Sequence, residues 1–275
     1  MSPSKHLGLP HEREETIMKK LIALTLCLIL TLTVFAGCGQ KNESDLAYIQ
    51  DKGTMVVGIT VYRPMDYQDE NGEWIGFDAE FAKLVAKELG VEAEFVIIDW
   101  TKKFTDLAIK EIDVIWNGMT ITDDVKNNTS YTNPYVINAQ VVVTKADVAA
   151  NYKNADSIKD ISIAVENSSA GMEALEDVGI TDYTALLDQA AALMEVASGT
   201  SDACVIDITM ANALTGAGKQ YSDLAIAFEL TSEYYGIAFR KGSDVTEKVN
   251  DLMAKWMNDG TLDALAAKYN VTLVK

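Results

Sequence analysis

Histidine is absent from this 275-residue chain beyond position 11, cysteine occurs only at positions 27, 38 and 204, and proline occurs four times. Without histidine the body of the chain has no side chain whose ordinary pKa lies near neutrality, which removes the commonest general acid and base. With Cys204 as the only cysteine after Cys38, no disulfide within the body and no cysteine-rich metal site can be built, so neither metal nor cofactor is expected. A serine-centred nucleophile motif is missing too. Positive charge is also scarce: from Cys38 onward there are 19 Lys and Arg against 38 Asp and Glu, a net charge of −19. Such acidity argues against nucleic acid and anionic lipid as partners and keeps a surface soluble.

Long apolar runs are missing as well, except one. Leu21 to Phe35 follows Met18-Lys19-Lys20 and leads into Ala36-Gly37-Cys38, the order of charged, apolar and small-residue regions that marks a secretory signal peptide. At roughly fifteen residues it is short for a hydrocarbon core of about 30 Å, so a retained transmembrane helix is the weaker reading. Phe35-Ala36-Gly37-Cys38, followed by polar Gly39 to Asn42, resembles the lipobox of bacterial lipoproteins, in which Cys38 would carry the lipid; Phe35 stands where that motif usually has Leu. Residues 1–17 precede a complete signal peptide and read as an over-long start. The expectation is residues 1–37 removed, 38–45 a lipidated tether, and a body anchored on the outer or periplasmic face of the cell membrane.

Beyond the tether, strands and helices alternate. Asp69-Glu70-Asn71-Gly72 is hairpin-turn chemistry between Tyr67 and Trp74. Phe77, Phe81, Leu84, Val85 and Leu89 recur at helical spacing and stop at Gly90, predicting a helix over 78–89. A helix near 105–110, strands over 112–116 and 140–144, and a second set (strand 161–165, helices 171–178 and 188–198, strand 203–206) continue the pattern. Interleaved strands and helices imply parallel βαβ units and an α/β fold. Two segments share a form, 112–117 and 201–207, in which an acidic residue leads into a buried strand that exits at a polar residue. Ligand crevices of open α/β sheets lie beyond such strand ends, so two facing half-sites are the natural arrangement.

Tyr62 to Tyr67, Asn71-Gly72 leading to Gly76-Phe77-Asp78, Asp99-Trp100, Asn117 to Thr122, Asn133-Pro134-Tyr135, Asp202 to Asp207 and Tyr235 to Gly242 are weak singly. In this order and spacing they resemble the bacterial family 3 extracellular solute-binding proteins, the polar-amino-acid class of ABC importers. The resemblance implies a two-lobed, periplasmic-binding-protein-like fold, each lobe a mostly parallel sheet flanked by helices. Lobe 1 would comprise 46–134 and 236–275, lobe 2 139–231, with hinge crossings near 135–138 and 232–235. It further implies a monomer that captures an amino acid or related polar or cationic metabolite by closure, without catalysis, and delivers it to an ABC permease.

An amino acid leaving water needs both charges paired. By resemblance Asp207 accepts the ligand ammonium; from sequence alone it serves equally well as a helix N-cap. Tyr62, Met65 and Trp100 would contact the ligand side chain, whereas Trp116, inside a buried strand, reads as core. Asn117, Gly118, Thr120 and Thr122 match a loop offering backbone and hydroxyl donors to the carboxylate. Glu166, Ser168, Ser169 and Ala170 match the loop that completes this cradle at a helix start, where free N–H groups favour an anion and where Ser168 or Ser169 also suits a cap. One departure stands out: family members usually carry arginine at the position of Val125, as the bidentate partner of the ligand carboxylate. Lys126 would point about 100° away on a helical turn. Either the ligand is held otherwise or it lacks that carboxylate. A dehydratase-like enzyme on the same scaffold and a ligand sensor are the competing readings.

Overall fold

Helix α1 (Asp45–Lys52) is the first described element, capped by the Ser44 hydroxyl, which accepts the Ala47 N–H, and stopped at Gly53 with φ 78°. This computed structural model describes residues 44–275. The segments expected to be a signal peptide and, up to position 43, a lipidated tether, Cys38 included, lie outside the described residues. Ser44 and Asp45, expected in the tether, belong instead to the folded body.

In chain order there follow β1 (Thr54–Ile59), the hairpin strands β2 (Tyr67–Gln68) and β3 (Trp74–Ile75), α2 (Phe77–Leu89), β4 (Glu92–Ile97), a short 3-10 turn, α3 (Lys103–Ala108), β5 (Val114–Thr120), α4 (Asp123–Asn128), β6 (Thr129–Tyr131) and β7 (Val136–Asn138). Next come β8 (Gln140–Lys145), β9 (Ile163–Glu166), α5 (Ala170–Asp177), β10 (Thr184–Leu186), α6 (Gln189–Ser198), β11 (Ala203–Asp207), α7 (Ile208–Leu214) and β12 (Leu224–Glu229). Strand β13 (Glu233–Arg240), α8 (Val245–Asn258) and α9 (Thr261–Tyr269) end the chain. Hydrophobic period set the helices: Phe77, Phe81, Val85 and Leu89 of α2, and Val245, Val249, Leu252, Met253 and Trp256 of α8, are buried along one face.

Apart from the β2-β3 hairpin, the strands build two sheets that mix parallel and antiparallel pairs. In the first, ordered β4-β1-β5-β13-β6, β1 runs parallel to β4 and β5 while β13 runs antiparallel to β5, β6 and β7. In the second, ordered β10-β9-β11-β8-β12, β9 runs parallel to β10 and β11 while β8 runs antiparallel to β11 and β12. The antiparallel strands are those by which the chain leaves one sheet for the other. These crossings pair with each other, Val136 opposite Tyr235 and Asn138 opposite Glu233, and form a two-stranded ribbon between the sheets.

Asp113, the acidic residue that leads into β5, is fully buried and anchors this first sheet. It accepts from Lys52, from the Val56 N–H at 2.8 Å and from Arg240 Nη2 at 3.1 Å, while Arg240 Nε also reaches Asp45 at 2.7 Å. The last residue of β13 thereby ties α1 and the base of β5 together. Removing one partner of a buried pair leaves an uncompensated charge, so Arg240→Met should lower the free energy of unfolding by about 3–5 kcal/mol in urea titrations. A loss below about 1 kcal/mol, as for a surface ion pair, would show that the cluster is solvent-screened.

Candidate functional site

Where β1, β5, β9 and β11 end, one cleft of about 540 Å³, its open mouth included, is lined from both sheets. The first lobe contributes the segment after β1 (Thr60 and Tyr62), Trp100 and Lys103 of the turn into α3, Asn117 to Thr120, and Thr122, Asp124 and Val125. The second contributes Glu166, Ser168, Ser169, Ala170, Glu173, Gln189 and Asp207. Of the residues singled out from sequence, all but Met65 line it. Met65 is instead fully buried in the core, its carbonyl accepting the Asp78 N–H at 3.0 Å. Trp116 is core too, its ring edge-on to Phe81 with centroids 4.9 Å apart.

Asp207 sits at the cap position of α7, yet its carboxylate caps nothing. One oxygen accepts Tyr62 Oη at 2.8 Å and Tyr235 Oη at 2.7 Å; the other accepts Gln140 Nε2. The cap reading is thereby set aside, because the side chain turns inward toward donors from the other lobe and the hinge. Burial pushes its pKa up, and the donors of Tyr235, Tyr62 and Gln140 pull against that rise. Burial likewise drives the Tyr62 and Tyr235 hydroxyls well above their usual value, so both remain donors.

The β5 end is organised differently from the expectation. The Asn117 carboxamide is consumed internally: its oxygen accepts the Thr60 N–H at 3.0 Å and hydroxyl at 2.6 Å, and its nitrogen donates to Thr60 O at 3.0 Å and Asp66 at 2.8 Å. The Gly118 N–H donates to Asp78 at 2.6 Å and so is not offered to the cleft. Gly118 matters sterically. Its φ is 53°, and a Cβ there would stand 2.5 Å from the Tyr62 ring. Thr120 donates its hydroxyl to Glu233 at 2.6 Å, while Thr122 caps α4 and faces Glu173 across the cleft.

In the second lobe Ser169 caps α5 by accepting the Met172 N–H at 3.2 Å, and Ser168 adopts φ 57°. Glu166 is buried beneath them, its pKa raised to about 8 chiefly by desolvation, then by Asp207 and Asp188, with Lys103 opposing. Val125 packs among Ile98, Trp100, Leu107 and Met119, and Lys126 is exposed and paired with Asp123 at 2.8 Å, so neither brings charge to the cleft. Sequence reasoning missed Lys103, Gln189 and Glu173. Lys103 was findable, since it follows Trp100 by three residues and so shares its helical face. Gln189 and Glu173 carry no local signal; Gln189, for example, reaches Asp207 N only through the fold, at 2.9 Å.

Comparison with known proteins identifies this arrangement. Residues 55–272 match the family model of bacterial extracellular solute-binding proteins, family 3. The L-cystine-binding protein TcyJ of Escherichia coli (strain K12) is 32% identical over 248 residues, covering 88% of this chain and 92% of that one. The arginine-binding extracellular protein ArtP of Bacillus subtilis (strain 168) is 28% identical, covering 92% and 98%. Among solved structures, a mutant of ArgBP from T. maritima superposes with a TM-score of 0.76 at 31% identity, covering 82% of this chain and 98% of that one. The ancestral amino acid-binding protein AncCDT-1, a precursor of cyclohexadienyl dehydratase, superposes with 0.74 at 31% identity, covering 82% and 99%. The chain, two-lobed with its cleft between the lobes, belongs to the bacterial extracellular solute-binding proteins of family 3.

Proposed function

We propose that this protein is the extracytoplasmic capture component of an ABC importer, anchored through Cys38, that closes its two lobes on a free amino acid or a related cationic metabolite. The observation that carries the reading is Asp207: a buried carboxylate on the second lobe, held by a tyrosine of the first, in a cleft lined by both. Such a group pairs naturally with a ligand ammonium, and the Trp100 and Tyr62 rings offer the apolar walls that small-molecule sites use. The names of the relatives, which bind cystine or arginine, support the ligand class. Acidic groups outnumber basic ones on the cleft wall, Asp124, Glu166, Glu173 and Asp207 against Lys103, which favours a ligand with cationic character.

A second reading, a dehydratase-like enzyme, has one observation in its favour. Glu166 with its pKa near 8 is protonated at neutral pH, as a general acid must be. Incubation with candidate amino acids separates the two: unchanged ligand recovered after long incubation supports capture, and product formation supports catalysis.

Three outcomes are expected. A thermal-shift screen of amino acids should find a stabilising ligand, since saturation at about 100 times the dissociation constant adds roughly 2.7 kcal/mol. Scattering with that ligand should then show a smaller radius of gyration than without it, and equal radii at saturation would count against hinge closure. In the native host, Cys38→Ser should shift the protein from the membrane to the soluble fraction, and an unchanged membrane fraction would remove the lipid anchor.

The proton on Glu166 gives a further outcome. Its folded pKa of about 8 lies above its ordinary 4.5, so its contribution to stability is full below about 4.5 and is lost as pH rises through about 8. The melting temperature of the ligand-free protein should therefore fall between pH 5 and pH 8, and Glu166→Gln should flatten that fall. If a ligand cation meets Glu166, binding at pH 7 should also release close to one proton. Calorimetric heats that differ between phosphate and Tris buffers would register the release, and buffer-independent heats would place the cation elsewhere.

A further inference from the structure

Lys103 is the one cationic side chain among the described residues that line the cleft. Only 8% of it is exposed. Its Nζ donates to the carbonyl oxygens of Ser168 at 2.9 Å and Trp100 at 3.3 Å, and stands 5.0 and 4.8 Å from the ring centroids of Trp100 and Phe104. Carbonyls and rings supply partial charge only. Among the described residues no carboxylate forms an ion pair with it; Glu166, Glu173 and Asp124 act on it from farther away. An ammonium has three N–H donors, of which these carbonyls take two. A buried cation kept in this state is costly unless an anion completes it.

The opposite wall offers the complement. Ser168, whose carbonyl receives Lys103, immediately precedes Ser169, the N-cap of α5, and the N–H groups of Ala170 and Gly171 in the first turn have no acceptor within the helix. A first-lobe ammonium and a second-lobe helix start thus face the same spot, and an anion placed there would be held from both sides. On the first lobe the position that resemblance assigns to an arginine is the apolar Val125, so no second cation competes for it.

We infer that Lys103 is the carboxylate anchor of this site, taking from α3 the role that the family resemblance gives an arginine at position 125, so that the ligand is an amino acid and not its decarboxylated amine. The inference rests on the proposed capture of a small cationic or zwitterionic solute and narrows it. Lysine suits the task as a flexible point charge, reaching from a different element and binding one oxygen where arginine would grip two. The Ser168 carbonyl holds the ammonium in place until a carboxylate takes the third N–H.

The test uses matched pairs that differ only in the carboxyl group: L-arginine and agmatine, L-lysine and cadaverine, L-histidine and histamine, L-cystine and cystamine, measured by titration calorimetry. For whichever amino acid binds, the wild type should prefer it to its amine by about tenfold to a hundredfold, the span of one charge-assisted hydrogen bond. Lys103→Met should erase that preference, weakening the amino acid while leaving the amine unchanged or tighter, and Lys103→Arg should restore most of it. Equal affinity of the wild type for both members of a pair overturns the inference without needing any variant. So does a Lys103→Met protein that loses affinity for amino acid and amine alike, because that pattern reports a structural contact. If the wild type binds no member of any pair, capture of these four amino acids fails and the inference falls with it. If it binds amino acids and Lys103→Met is indifferent, only the anchor fails.

Discussion

A carboxylate without water must be surrounded by donors, and the middle of this molecule is arranged around that requirement at Asp207. Its three donors come from three places: Tyr62 after β1, Tyr235 on β13 and Gln140 at the start of β8. Two of them sit on the strands that carry the chain between lobes, so the hinge is chemically part of the site. The demand propagates. Gln140 also donates to Glu233 at 2.8 Å, which accepts from Thr120 at 2.6 Å and Asn138 at 2.7 Å. Each of these two carboxylates takes donors from more than one element, so a change in lobe orientation must exchange donors instead of merely separating surfaces. Low local dielectric makes such networks strong when satisfied and expensive when broken.

Much of the fold was legible in the sequence because it is encoded by period. The apolar face of α2 and its stop at Gly90, the turn between Tyr67 and Trp74, and the buried strands β8 and β11 each follow from residues within a short window. What the local pattern does not carry is strand direction. β8 and β13 read as apolar strands in either sense, and only their place at the crossings makes them antiparallel to their neighbours. Helix α1 was missed for a related reason. Its stretch Asp45–Lys52 has only Asp45 and Ile49 buried, and it is fixed by Arg240, 195 residues away from Asp45 in sequence, more than by its own apolar face.

At the site, residue types were legible and their assignments were less so. Asn117 and Gly118 line the cleft as resemblance expects, but their polar groups are already committed to Thr60, Asp66 and Asp78. Their service is to shape it. Gly118 leaves the space the Tyr62 ring occupies, and that ring carries the hydroxyl to Asp207. Met65 serves through its backbone instead, its carbonyl holding the start of α2. Lys103 shows the converse: position-by-position matching looks for charge at 125 or 126, while the fold delivers it from another helix to the same wall.

The bonds between lobes also bear on how tightly a ligand can close them. Tyr62 to Asp207 and Lys103 to Ser168 join the two halves through protein groups alone. A closed arrangement with such bonds of its own lies nearer in free energy to the open one than a cleft that meets only through its ligand. A ligand shifts such an equilibrium only by its difference in affinity for the two states. A solute that merely replaced these contacts would bind without closing the protein further, whereas one that adds contacts beyond them would drive closure. The buried, proton-bearing Glu166 and the incompletely satisfied Lys103 are where contacts can be added, one for a cation and one for an anion. On the proposed function, Asp207 meets the ammonium that amino acids share, and Glu166 and Lys103 are the groups that would discriminate between solutes.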